Sequence, residues 1–600
     1  MAESGSITSS SHERESRMQR FFGVLARPGA HAQGNAAGLE APATAEEDGV
    51  IVALAGRPFW RGRPEAPADA AMAHEILAAY RSDGVRLLDR LHGGFALAIV
   101  EPGRRTAMLA IDRMGIQRLA YAETDGGLVF STSAEAVARH LAPTPGIDRQ
   151  ALVSYLFFHM VPAPGSIFAG VSKLPAATVA QYSAGRLQLS RYWNPEFIED
   201  RPGDFPSLAR ELHDSLRVAV SAAEPGDASG AFLSGGLDSS TVAGVLSEVV
   251  PAPARTFSIG FGFADYDELS YARIANRRFG CAGHEYEITA EDIVASFASI
   301  AEAYDEPFGN SSALPAYYCA KLARRHGVTH LLAGDGGDEI FAGNSRYAEQ
   351  EIFERYGRVP AAARLLLEAG LKAIPPALTH GLVRKAKGYV AKAKTPLPDR
   401  LETWNFMRQL GMAEVLDPGF LAAVAPEGPI EHMRDVYRSA PACSNVNRLL
   451  YYDWQFTLAD NDLRKVEAMC ELGGIAVSYP MLHPDVVEMS NRVPPGMKMP
   501  GTELRDFYKR AMQGYLPDEI IHKKKHGFGL PFGLWLQQSS ELRDLVFGNL
   551  SDLKRRHIIR DGFLDRLLHL HGADDARYYG VFIWVLAMLE QWFKAHEISA

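Results

Sequence analysis

Hydrophobic positions change their period partway along this 600-residue chain. From about residue 18 to residue 197 they fall in short β-like runs broken by Gly and Pro: GVIVALAG, GGFALAIVE, TAMLAID, GGLVFSTS, TVAQYSAG and RLQLSRYW. That spacing predicts a layered, β-rich domain with a few helices. After Asn194 and Pro195, and an Asp/Pro/Gly-rich stretch reaching Pro206, apolar residues take helical spacing with a few buried strands between them. The pattern there predicts an α/β unit, 205–600, that becomes mainly helical. Residues 351–440 read as helical and poor in chemistry, and no internal repeat is visible. The longest apolar run, 578–589 (YYGVFIWVLAML), is too short to span a bilayer and suits a buried helix. Residues 1–17 are polar and Ser-rich without an apolar h-region, which predicts a disordered tail rather than a signal peptide.

One junction between a predicted strand and a predicted helix carries chemistry. Residues 230–233 (GAFL) read as a short buried strand and 241–250 (TVAGVLSEVV) as a helix. Between them stand Ser234, Gly235, Gly236, Leu237, Asp238, Ser239 and Ser240. Free N–H groups and the helix dipole at such a junction favour a polyanion. Gly235 and Gly236 let the backbone approach phosphate oxygens, Ser234, Ser239 and Ser240 add hydroxyl donors, and Asp238 can hold magnesium. No Gly-Lys-Ser/Thr ending follows, so a Walker A reading does not apply. The plainer alternative is a Gly-Ser turn with a capping aspartate.

Composition narrows the class. With 47% hydrophobic and 22% charged residues the chain is ordinary globular protein, long enough for two to four domains. A net charge of −10 argues against a nucleic-acid surface, and nothing suggests a membrane partner. Four scattered cysteines without a CxxC pair fit a reducing cytoplasm, and neither a disulfide framework nor a zinc site.

Two further segments add to the phosphate loop. Residues 330–347 (HLLAGDGGDEIFAGNSRY) place Gly334, Asp335, Asp338 and Glu339 in a Gly-rich turn after a short apolar strand. That turn suits a second magnesium carboxylate, or else is an acidic surface turn capping a helix. Residues 516–535 (LPDEIIHKKKHGFGLPFGLW) set Lys525 beside Gly-Phe-Gly on a punctuated loop, where one mobile cation could meet a reacting phosphate or oxyanion. Alone, a lysine cluster is more often solvated.

Taken in order, SGGLDSS, FSIGF, DEPFGNSSALP, AGDGGDEIFAG and KHGFGLP resemble the asparagine synthetase superfamily. GGFALAIVE, IDRMGIQRLAY and VPAPGSIFAGVSKLPA resemble its glutamine-amidotransferase domain. The resemblance implies an N-terminal antiparallel sandwich (18–197) and an α/β ATP-pyrophosphatase domain of the adenine nucleotide alpha hydrolase type (205–600) with a helical C-terminal part. It also implies ATP and Mg2+: a carboxylate attacks the α-phosphate, pyrophosphate leaves, and an amine displaces AMP. Carried over by residue, 234–240 would hold pyrophosphate, Leu233, Ile259 and Gly334 would contact nucleotide, and Asp238 and Asp338 would bind magnesium. Lys525 would stabilise charge in both half-reactions, and Asp335 would orient or deprotonate the amine.

Departures from the family pattern are equally informative. Phe22 stands where the glutaminase nucleophile, a cysteine, is expected, and Ala55, Arg57 and Ala73 break the glutamine-binding pattern. Glu467, Ala476, Ser478 and His483 replace the charged set that would hold aspartate. An inactive glutaminase-like domain and a larger acyl substrate follow as expectations. The chain is then most similar to lasso-peptide cyclases, which close a macrolactam with a peptide's own amine and imply a precursor peptide and a leader peptidase. An ammonia-dependent asparagine synthetase or other amide ligase is the rival, and an inactive ATP-binding scaffold the alternative of another class.

Overall fold

The computed structural model describes residues 21–26, 37–125, 127–200, 203–263, 266, 268–375, 381–523 and 529–598. The expected tail, 1–17, and Lys525 lie outside the described residues.

The alternating runs of the N-terminal part form two antiparallel sheets. Eleven strands in chain order, Phe22–Ala26 (β1), Ala37–Glu40 (β2), Ala43–Glu47 (β3), Val50–Trp60 (β4), Leu91–Glu101 (β5), Thr106–Ile111 (β6), Ala120–Thr124 (β7), Gly127–Ser131 (β8), Ser172–Lys173 (β9), Thr178–Ser183 (β10) and Arg186–Arg191 (β11), supply them. One sheet runs β2-β1-β8-β7-β9 and the other β11-β10-β6-β5-β4-β3. Strand residues point alternately to the two faces. On β5, Ala96 and Ala98 therefore meet Leu128 and Phe130 between the sheets, while Leu97 and Ile99 meet the helix Ala70–Asp83 on the outside.

The second unit is built on five parallel strands: Ser229–Phe232 (β12), Arg255–Gly260 (β13), Ala282–Glu287 (β14), His330–Leu332 (β15) and Ala476–Ser478 (β16). Their order is β14-β13-β12-β15-β16. The chain grows outward from β12 to β13 and β14, then returns to β12's other side as β15, and a crevice opens outside the strand ends where the direction reverses. β14 was not among the runs singled out above; its AGHEYE sequence is mostly exposed, as an edge strand allows. The apolar run at 578–589 lies within the buried helix Ala576–Ala595.

Buried charge joins the two units. Asp305 accepts from Arg118 Nη2 (2.9 Å), from Arg464 and from the Ala134 N–H (2.8 Å). Its neighbour Glu306 accepts from Lys173 Nζ (2.5 Å) and the Ile167 N–H (2.8 Å). So the first half of DEPFGNSSALP clamps the N-terminal domain, while Ser312 and Pro315 from its second half line the crevice. Glu306→Ala leaves Lys173 buried and unpaired, and urea unfolding is expected to show a loss of about 3–5 kcal/mol.

Candidate functional site

The reversal point between β12 and β15 opens a cleft of about 620 Å³. β12 leads through Leu233 into the loop at 234–240, and Gly236 caps the helix Leu237–Val249. Gly235 holds φ at +71°, and a Cβ there would come within 2.5 Å of the Ala272 nitrogen, so the turn requires glycine. Ser239 Oγ accepts from Ser234 N–H (3.2 Å) and lies 3.0 Å from Ser234 Oγ, folding the loop on its own hydroxyls. Leu233, Ser234, Gly236, Leu237, Asp238, Ser239, Ile259, Gly334, Asp335 and Asp338 all line the cleft. Gly235 shapes the loop from behind, against Tyr271, and Ser240 is fully buried.

Two loops cross here at contact distance. A Cβ on Gly334 would lie 2.7 Å from the Ser239 nitrogen. Only this approach lets Asp338, on the helical turn Gly337–Phe341, share a partner with Asp238. That partner is Arg505: Nη1 donates to Asp238 Oδ2 (2.8 Å) and Asp338 Oδ1 (3.0 Å), and Nη2 to Asp238 Oδ1. No cluster of three or more His, Cys, Asp or Glu suited to a metal occurs among the described residues. Two carboxylates converging on one cation nevertheless fit a hard divalent ion that takes its other ligands from phosphate and water.

Asp335 lies deeper. Burial pushes its carboxyl up to about 6 against the opposing pull of Lys465, with Asp462 and Asp238 adding to the rise. Lys465 Nζ is 2.8 Å from Asp462 Oδ1 and 4.0 Å from Asp335 Oδ1. It opens the helix Leu463–Leu472, which continues directly from the π-helical stretch Trp454–Asp462, a geometry frequent at functional sites. Lys523, the described member of the lysine run, pairs with Glu268 Oε1 (3.0 Å) and reaches the Gly235 carbonyl (3.4 Å). Lys465, Arg505 and Lys523 all line the cleft and none was singled out in the sequence. Lys465 had a local signal, two positions before Glu467 on one helix; Arg505 had none.

Four of the departures from the family pattern, Arg57, Glu467, Ala476 and His483, meet in a second cavity, of about 200 Å³, between the two units, while Ala55 and Ala73 are buried in the cores of the N-terminal domain. Arg57, Phe59, Glu65, Glu467, Ala476, Tyr479 and His483 line it. Glu65 Oε1 accepts from Arg57 Nε (2.8 Å) and Ser478 Oγ (2.7 Å), and Ser478 Oγ lies 2.8 Å from His330 Nε2. The Phe59 and His483 rings stack at 5.4 Å. Substitutions read separately as a lost glutamine pocket and a lost aspartate pocket therefore touch one another. Helical phase separates this cavity from the cleft: Lys465 and Val466 face the cleft, Glu467 and Glu471 the cavity. Burial pushes Glu467 up to about 8, opposed by the Tyr479 hydroxyl and aided by Glu471, Asp112 and Glu65.

Phe22 lies half-buried on β1 with its ring 5.0 Å from His140. The four cysteines, all free, fall between residues 281 and 470. No helix among the described residues is long and apolar enough to cross a membrane.

Comparison with known proteins agrees with this organisation. The family described as asparagine synthase matches residues 208–594, and the glutamine amidotransferase domain matches residues 70–193. Asparagine synthetase [glutamine-hydrolyzing] 1 of Bacillus subtilis (strain 168) is 25% identical over 540 residues, covering 87% of this chain and 82% of its own. A putative asparagine synthetase [glutamine-hydrolyzing] of Mycobacterium tuberculosis (strain ATCC 25618 / H37Rv) is 26% identical over 545 residues, 87% of this chain and 80% of its own. Asparagine synthetase [glutamine-hydrolyzing] 3 of Bacillus subtilis is 22% identical over 544 residues, 85% and 80% of the two chains.

Two outcomes are expected. Gly334→Ala forces the crossing loops apart and weakens nucleotide binding by about 1–3 kcal/mol, read by calorimetry. Glu467 stays protonated in the folded protein up to about pH 8, whereas the unfolded chain releases that proton near 4.5. The folded state therefore binds the extra proton, and this residue's contribution to stability falls as pH rises through that window. Glu467→Gln should flatten the decline in thermal melts taken across it.

Proposed function

The chain belongs to the asparagine synthase family and is an ATP-dependent carbon–nitrogen ligase of the asparagine synthetase type, and on that basis we propose that it joins a carboxylate to an amine not released from glutamine by its own N-terminal domain. The observation that carries the proposal is that no cysteine precedes Cys281, so the N-terminal domain has none, and Phe22 stands where the family resemblance expects the nucleophile. A phenyl ring cannot attack an amide, and thiol chemistry needs a thiolate.

In this reading the N–H groups of the loop and the hydroxyls of Ser234 and Ser239 bind the phosphates of ATP, Ser240 being buried away from them, and Leu233, Ile259 and Gly334 hold the nucleoside. Asp238 and Asp338 would hold magnesium, which when bound offsets phosphate charge as the carboxylate oxygen attacks the α-phosphorus and pyrophosphate departs. The amine then bonds to the acyl carbon as its bond to AMP breaks. With its carboxyl near 6, Asp335 is ionised at neutral pH yet more basic than an ordinary aspartate, suited to take the proton the amine loses. Lys465 beside it fixes the carboxylate's place. Lys523 supplies a cation beside the loop, and Lys525 is the lysine that the family resemblance assigns to charge stabilisation. Such an intact charged set argues against an inactive scaffold.

The replaced charges at 476, 478 and 483 support a second reading, in which the amine belongs to the acyl substrate itself. Ser478 and His483 are engaged with Glu65 and Phe59 rather than forming a charge pair for a small zwitterion. A peptide closed into a macrolactam, as in lasso-peptide maturation, would fit, with a precursor peptide as substrate and a leader peptidase as partner.

AMP and pyrophosphate release separates these. With ATP and Mg2+, ammonium or a peptide amine is expected to sustain turnover and glutamine is not. A peptide product one water lighter than its substrate would favour the cyclase, and aspartate with ammonium the synthetase. Turnover driven by glutamine, accompanied by glutamate, would sink the proposal.

A further inference from the structure

Arg505 is placed unlike an ordinary surface arginine. Its side chain is 7% exposed, and its backbone lies in the left-handed region (φ +60°), which residues with a side chain adopt sparingly. The guanidinium rests 4.9 Å above the Tyr508 ring, whose hydroxyl is anchored 2.9 Å from Thr241 Oγ1 on the helix that follows the phosphate loop. Gly343 leaves the room: a Cβ there would fall within 2.9 Å of Arg505 Cδ and against the Asp338 carboxylate. The segment is thus shaped to deliver one positive charge between Asp238 and Asp338. These are also the carboxylates assigned to magnesium above, and the inference rests on that assignment.

The Arg505 guanidinium takes both oxygens of Asp238 and Oδ1 of Asp338, so a divalent cation can reach those three oxygens only by displacing it. We infer that Arg505 is an internal counter-ion which the metal must displace, so that metal and nucleoside triphosphate bind as one coupled unit. Metal entering alone would strand a buried guanidinium without an anion, which is costly. Metal entering with a triphosphate brings the negative charge that the displaced guanidinium can pair with in a cleft also lined by Lys465, Lys509 and Lys523. Arg505 is therefore a positioning residue: it keeps the two acidic loops together in the nucleotide-free protein and makes metal affinity conditional on nucleotide.

The test uses Mn2+ as probe, its free concentration read by electron paramagnetic resonance on the full-length protein, with and without α,β-methylene ATP. After subtraction of the Mn2+ that the analogue binds by itself in solution, the wild type should bind Mn2+ at least about tenfold more tightly with the nucleotide analogue than without it. Arg505→Met should bind Mn2+ more tightly than wild type when nucleotide is absent, with the coupling reduced, and Arg505→Lys should fall between. Equal wild-type affinity with and without the analogue overturns the inference, and needs no variant to fold. So does unchanged or weaker nucleotide-free Mn2+ binding in an Arg505→Met protein that retains a cooperative melt. If Asp238→Asn and Asp338→Asn bind Mn2+ and analogue as wild type does, the carboxylate assignment itself fails, and the inference with it. None of these outcomes bears on which amine the enzyme uses.

Discussion

Two loops from neighbouring strands must pass within atomic contact for this protein to have a site at all. Gly334 lies against the backbone of residues 238–239 with no space for even one methyl group, and that contact places Asp338 opposite Asp238. Two carboxylates held so close repel and need a cation between them. Arg505 supplies it. The parallel sheet, the reversal between β12 and β15 and the left-handed turn at Arg505 can all be understood as the scaffold around this junction of two anions and one cation.

Buried charge organises the seam between the two units as well. Asp305 and Glu306 each gather cationic and N–H donors from the N-terminal domain, and Glu65 reaches back to Ser478 on the edge strand β16. The amidotransferase-like domain also has a structural task. Here it closes one wall of the cavity behind the synthetase helix Leu463–Leu472 and supplies the counter-ions for two buried acids. Its retention has a structural reason independent of catalysis.

Much of the fold was legible in the chain. Six alternating runs of the N-terminal half correspond to strands, and the phosphate loop sits between β12 and its helix as the strand–loop–helix spacing predicts. The helix begins at Leu237, inside the motif, four residues earlier than its apolar periodicity, because Gly236 is the residue that caps it. The short strands β14 and β16 were not legible. One is polar and marginal to the sheet, and the other has three residues, Ala-Val-Ser, too few to show a period. At the site, the cleft-facing residues of the 234–240 loop and of the acidic turn were recognisable from their motifs, whereas Arg505, Lys465, Lys523 and Glu268 were not.

What the sequence alone determined is whatever depends on neighbours along the chain: the strand–glycine–helix junction, the acidic turn, the cysteine-free N-terminal domain. These are local backbone and side-chain properties, and the proposed phosphate binding and adenylation rest on them. What only the tertiary structure decided depends on residues far apart. Arg505 meets Asp238 across 267 positions, and Glu65 meets Ser478 across 413. Which face of the helix Leu463–Leu472 looks into the cleft, and that two separate sets of substitutions share one cavity, follow from how the units pack. Packing is settled by the burial of whole surfaces and the pairing of distant charges, and neither leaves a short-range trace in the order of residues.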